Sequence, residues 1–175
     1  MNQPLHAPLP RARAHGLATV EFAMVASVFF LLLFSIVELA RVMYLFNTVQ
    51  EVTRRAGREA AVRWTSSADQ ATAKTLALFG GSSLPAGAEI TSSSITIEYL
   101  DVSGSVIASG SMPTDAADNI AACADSLRTA NCIYSVRASI SNVSYSPMIS
   151  LFSFLNINLP SSAVTLHAES MGYGS

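Results

Sequence analysis

At 175 residues, half of them hydrophobic and 13% charged, the chain has room for one domain and a separate apolar segment. Its formal net charge is −2, with 10 Lys and Arg against 12 acids, which excludes the basic surface that a nucleic-acid binder needs. The three histidines, His6, His15 and His167, come without a Ser/His/Asp order, metal-ligand spacing or phosphate-binding glycine motif. No catalytic, cofactor-binding or metal-binding residue is therefore expected, nor a small-molecule substrate.

The first element is an apolar helix. Residues 22–37 carry no charge, and with 17–20 before Glu21 and 39–46 beyond Glu38 the run reaches the ~20 residues that cross a bilayer. Arg11 and Arg13 precede it and no acid occurs in the first 20 positions, so the positive-inside rule puts the N-terminus in the cytoplasm and the rest outside it. Arg54, Arg55, Arg58 and Arg63 weigh against this, but they interleave with Glu51 and Glu59 well past the apolar run. Beyond Val37 the sequence offers no small-x-small site for signal peptidase, so the segment is expected to stay as an anchor. Glu21 is the anomaly, because an ionised carboxylate near the start of a span costs roughly 2.5 kcal/mol or more on insertion scales.

Past the apolar run the helical period continues. Val42, Leu45, Phe46, Val49, Val52, Ala56 and Ala60 form one stripe to about Trp64, itself expected in core or interfacial packing. Glu51 with Arg55 and Glu59 with Arg63 are i,i+4 pairs on the solvated face. Gly57 costs about 1 kcal/mol relative to Ala within a helix and would permit close approach of a sheet. Ser67 with Gln70 reads as a capping box for a second helix ending near Phe79, stopped by Gly80 and Gly81.

A Ser/Pro/Gly connection then leads to Ala88. Ile95, Ile97 and Tyr99 alternate as a strand, residues 103–105 read as a turn, and Val106 with Ile107 return as a hairpin arm. Residues 114–129 fit either helix or loop. Strand alternation recurs over 134–143 and again at Val164, Leu166 and Ala168. Between them, 148–154 reads by default as core beneath the sheet, and alternatively as an exposed apolar loop against a neighbouring subunit or the membrane surface. Four short strands and one long helix give an α+β fold, a long N-terminal transmembrane and amphipathic helix packed on a small antiparallel sheet.

Gly16, Leu17, Glu21, Phe22 and Ala23, the run 31–38, and the Arg- and Ala-rich continuation through Asn47, Gln50 and 54–62 together resemble the N-terminus of TadE-like proteins, minor pseudopilins of the Tad/Flp tight-adherence pilus system. A further similarity runs from Tyr134 to Ile140, through Tyr145 and Pro147, to the last strand. Ser35, Leu39 and Ala40 depart from the family pattern. The resemblance implies a pilin-like organisation: 1–16 a prepilin-type leader, 17–40 the transmembrane helix, and 41–175 an extracytoplasmic α+β domain. It also implies cleavage after Gly16 by a prepilin peptidase, with Gly16, Leu17, Glu21 and Phe22 as processing residues. Glu21 would serve assembly as well, its carboxylate pairing with the new N-terminal amine of its own or a neighbouring chain.

Expected partners are the peptidase, other Tad pilins and pseudopilins, and inner-membrane assembly proteins. The expected location is the bacterial inner membrane, with the domain in the periplasm or carried out in a pilus for adhesion or secretion. A single-pass envelope protein with a periplasmic binding or scaffold domain is the alternative. In an exported domain Cys123 and Cys132 suit one disulfide contributing roughly 2–3 kcal/mol, with free buried thiols the other option. Their spacing suits neither redox C-x-x-C chemistry nor a zinc site.

Overall fold

The computed structural model describes residues 15–168 and Met171, with His15 described by its backbone alone. The expected leader with His6, Arg11 and Arg13 therefore lies outside the described residues, apart from its last two positions. One helix, α1 (His15–Val62), opens the described chain. The chain divides into two units between Leu39 and Ala40.

In the first unit α1 is an apolar rod whose large side chains are almost all exposed, Phe22 to 75%. Ser27 and Ser35 return their hydroxyls to the carbonyls of Ala23 and Leu31, both at 2.7 Å, so neither polar group needs an outside partner. Phe30 meets Phe29 edge-on at 5.5 Å and stacks on Phe34 at 6.0 Å between ring centroids.

The second unit is built on the continuation of α1. The expected stripe is its core: Leu45, Val49, Val52, Ala56 and Ala60 are buried. The sheet against it contains β3 (Ile95–Leu100), β4 (Ser135–Ile140) and β7 (Ser162–His167), antiparallel in the order β3-β4-β7. Register aligns Ile97 with Ala138 and Val164, and Tyr99 with Val136 and Leu166. Cross-strand pairing also puts Arg137 opposite Glu98, bonded at 2.8 Å. Gly57 sits where helix and sheet are closest: a Cβ there would lie 2.8 Å from Val164 Cγ1 and 3.4 Å from Leu166 Cδ1.

Several local expectations shift. Helix α2 (Ser67–Ala77) is capped by Ser66, whose hydroxyl accepts from the Asp69 amide, while Gln70 donates to the Thr65 carbonyl instead of closing a box with Ser67. It ends earlier than expected, because Phe79 already has φ 59° and Gly80 φ 86°, and the Gly80 amide folds back to Thr75. The connection after it holds a strand pair, β1 (Ser83–Leu84) with β2 (Gly87–Thr91).

The expected return arm is a single bridge from Val106 to Leu100, because the Asp101 carboxylate gathers the amides of Ser103 and Ser105 and closes the turn tightly. Residues 114–129 hold helix α3 (Ala116–Ala124), capped by Asp115, and lead into a short 3-10 turn at Thr129–Asn131. The last expected strands separate too: Asn142, at φ 57°, breaks β4 from β5 (Ser144–Tyr145), which pairs with β6 (Ile157–Asn158). The sheet thus has three strands where four were expected.

Residues 148–154 overturn the default reading as core. Phe152 is buried, but Met148 and Phe154 are each 76% exposed and Leu151 is 59% exposed. Trp64 packs, as expected, at the edge of the cluster formed by Ala60, Tyr99 and Val136.

Candidate membrane and assembly segment

The first turns of α1 place Gly16, Leu17, Glu21 and Phe22 on an exposed helix. Leu17 and Glu21 are one helical turn apart and share a face. A Cβ at Gly16 would meet nothing within 4 Å, so no packing within the described structure demands glycine there. A single helix among the described residues is long and apolar enough to cross a membrane, and it is this one. None of the residues in its apolar window is buried among the described residues. Such a surface is not stable in water, and it calls for lipid or for other helices.

At the start of the second unit, Arg41 forms a junction absent from the sequence reading. Its guanidinium donates to the carbonyl of Ser146 at 2.8 Å, to that of Ala86 at 3.3 Å and to Glu89 Oε1, and it lies 5.0 Å from the centroid of the Tyr145 ring. Beside it Tyr44 donates to the Pro85 carbonyl at 2.9 Å. Burial opposes the charge on Arg41, but Glu89 and, behind it, Tyr145 together outweigh burial through hydrogen bonds and charge and hold the guanidinium above the usual arginine range. This site is structural: planar, five-donor recognition fixes the β1–β2 turn and the β5 end onto the helix. The one signal for it in the sequence is an arginine just past an apolar run.

Farther along α1, Arg55 and Arg63 pair with Glu51 and Glu59 at 2.8 Å, as their spacing predicts. The Arg55 hydrogen bond lowers the Glu51 pKa, and the Arg55 guanidinium also lies 4.2 Å from the Phe79 ring centroid. On the far side of the domain, Cys123 and Cys132 are joined in a disulfide that ties α3 to the segment entering β4. Asp118 nearby is held below its usual range by the hydrogen bond from Arg128, and Asp101 by the Ser103 hydroxyl and the amides of its turn. His167 lies on an exposed edge strand, its ring edge-on to Tyr134 at 5.0 Å. Among the described residues no three His, Cys, Asp or Glu side chains converge as metal ligands would.

Residues 16–58 match the family model described as TadE-like protein. Over that stretch the chain is similar to TadE-like proteins. The match starts at Gly16 and spans the apolar run, Arg41 and the buried stripe, ending one residue past Gly57. The similarity over 134–168 lies outside it. No curated protein and no solved structure matches the chain. The apolar helix inside the matched stretch fits, by length and composition, a segment that crosses a membrane once.

Proposed function

We propose that the chain is a minor pseudopilin of a Tad/Flp-type pilus, cut after Gly16 by a prepilin peptidase and inserted through α1 with its N-terminus in the cytoplasm. The observation that carries this reading is the coincidence of three features at one place. The TadE-like match begins at Gly16, a carboxylate follows at Glu21, and the apolar window of the helix that holds both has no buried residue among the described residues. Cleavage would leave the Leu17 amine one helical turn before Glu21, where the two charges offset each other's desolvation inside lipid. The same pairing between neighbouring chains would favour one axial stagger and so set the register of assembly. Orientation is supported by the ion pairs on Arg55 and Arg63, which leave the basic cluster beyond the span partly neutralised.

Co-expression with the cognate peptidase tests the processing step. Mass spectrometry should show loss of the first 16 residues from the natural protein and retention of Met1 in Gly16→Leu. Because a Cβ at Gly16 meets no described residue within 4 Å, that variant reports on the peptidase and not on folding. Glu21→Gln should be cut and yet assemble poorly. A natural protein that keeps Met1 beside an active peptidase would leave the single-pass scaffold reading in its place.

A further inference from the structure

From 138 to 168 the chain contains no Asp, Glu, Lys or Arg. Within this stretch the β5–β6 pair closes a loop over 146–156, sealed at its base by Ser144 Oγ on Asn158 Oδ1 and by the Leu159 amide on the Val143 carbonyl, both at 2.8 Å. Phe152 turns inward and fixes the loop, while Met148, Leu151 and Phe154 point outward. Scattered exposed apolar residues need no explanation, but three on one uncharged, anchored loop form a patch that water does not favour.

The loop is fastened where the chain leaves the apolar run. Ser146 at its base accepts a hydrogen bond from Arg41, and Tyr145 lies under the same guanidinium. Arg41 is the second residue of the globular unit, so the loop's base is bonded to the point where that unit begins.

We propose that the 148–155 loop rests in the head-group region of the bilayer surface from which the chain emerges, a reading that depends on α1 being the membrane span. The chemistry fits a lipid interface. No ionised side chain has to be desolvated, the aromatic and thioether side chains suit the boundary between head groups and acyl chains, and the 3-10 stretch Ser150–Leu155 keeps part of the backbone bonded internally. The contact would fix the height of the domain above the membrane before assembly.

Full-length protein in phosphatidylethanolamine and phosphatidylglycerol vesicles tests this, using W64F as background and F154W, M148W, F30W and L127W as separate fluorescent reporters. Lipid brominated just below the head groups should quench F154W and M148W roughly twofold or more, as expected of an interfacial side chain. L127W, on a residue 92% exposed elsewhere in the domain, should keep its emission. Lipid brominated near the midplane should quench F30W. Quenching of F30W without F154W or M148W overturns the loop contact and leaves the span standing. Loss of quenching at F30W as well overturns the span. Blue-shifted but unquenched emission at both loop reporters would mean that protein, such as a second copy of this chain, covers the loop, and it overturns the proposal too.

Discussion

Arg41 and Glu89, 48 positions apart in sequence, share a hydrogen-bonded ion pair in which both side chains are mostly buried, at 14% and 13% exposure. One Glu89 oxygen is already buried without a partner, so this carboxylate depends on the arginine. Arg41→Met should therefore destabilise the domain by about 3–5 kcal/mol, the cost of stranding a buried charge. Arg41→Met with Glu89→Leu should recover much of that loss, because no charge is then stranded. Denaturant midpoints in detergent micelles would measure both, and a single variant no worse than the double would refute the dependence.

Gly57 faces Val164 at a distance that leaves no room for a methyl group. Gly57→Ala gains about 1 kcal/mol of helix propensity but meets an overpacking cost of about 1–3 kcal/mol, for a net loss of up to about 2 kcal/mol. Gly57→Leu should prevent helix and sheet from closing. Val164→Ala removes the methyl nearest the new Cβ and should restore stability to Gly57→Ala; thermal melts of the two singles and the double decide it.

What the sequence made legible was what depends on local period. The α1 stripe, its two i,i+4 ion pairs, the strands around Tyr99, Val136 and Leu166, and the close approach at Gly57 all follow from spacing along one element. What stayed hidden depends on distant pairing. Glu89 belongs to Arg41 through a turn 45 residues away, where Ala86 also lends its carbonyl, and no period encodes that. The β1–β2 strands were missed because 82–88 is rich in the residues that signal turns. The 148–154 segment misled because hydrophobicity alone does not say which side faces in, and here Phe152 is buried and Ile149 half-buried while Met148, Leu151 and Phe154 face out. Of the processing segment, residue identities were legible, and the structure adds that no described residue comes within 4 Å of a Cβ at Gly16.

The Tyr99 hydroxyl is buried with no partner at full hydrogen-bond geometry among the described residues, the Gln70 side chain lying close enough only to ease its ionisation a little. Burial, with the Asp69 carboxylate adding to it, pushes its pKa from 10.0 up to about 12. The folded state holds the proton more tightly than the unfolded chain, so this contribution is complete below pH 10 and is lost as pH rises through about 12. Tyr99→Phe should be neutral or slightly stabilising at pH 7, since it removes an unpaired polar group. Between pH 10 and 12 the natural protein should lose about 1–2 kcal/mol more than the variant, allowing for partial solvent screening. Parallel urea titrations across that range give the difference directly; equal alkaline losses would assign them to other groups.

The Cys123–Cys132 bond closes a loop with a sequence separation of 9, and Cys132 is buried while Cys123 is exposed. In the chain-entropy account such a short closure contributes about 2–3 kcal/mol. Cys123→Ser with Cys132→Ala should lower stability by that amount and loosen α3 first, because few other ties hold it. Those ties are Asn119, whose Oδ1 accepts from the Ile133 amide at 2.8 Å, and the Arg128–Asp118 pair at 2.7 Å, which is itself partly exposed. Hydrogen exchange should therefore rise across 116–131 well before it rises in β3 or β4, whose amides sit in the central ladder. Uniform loosening of the whole domain would show instead that α3 and the sheet unfold as one unit. The exposed Cys123 also leaves the bond open to reductant, so dithiothreitol on the natural protein should reproduce the exchange pattern of the double variant.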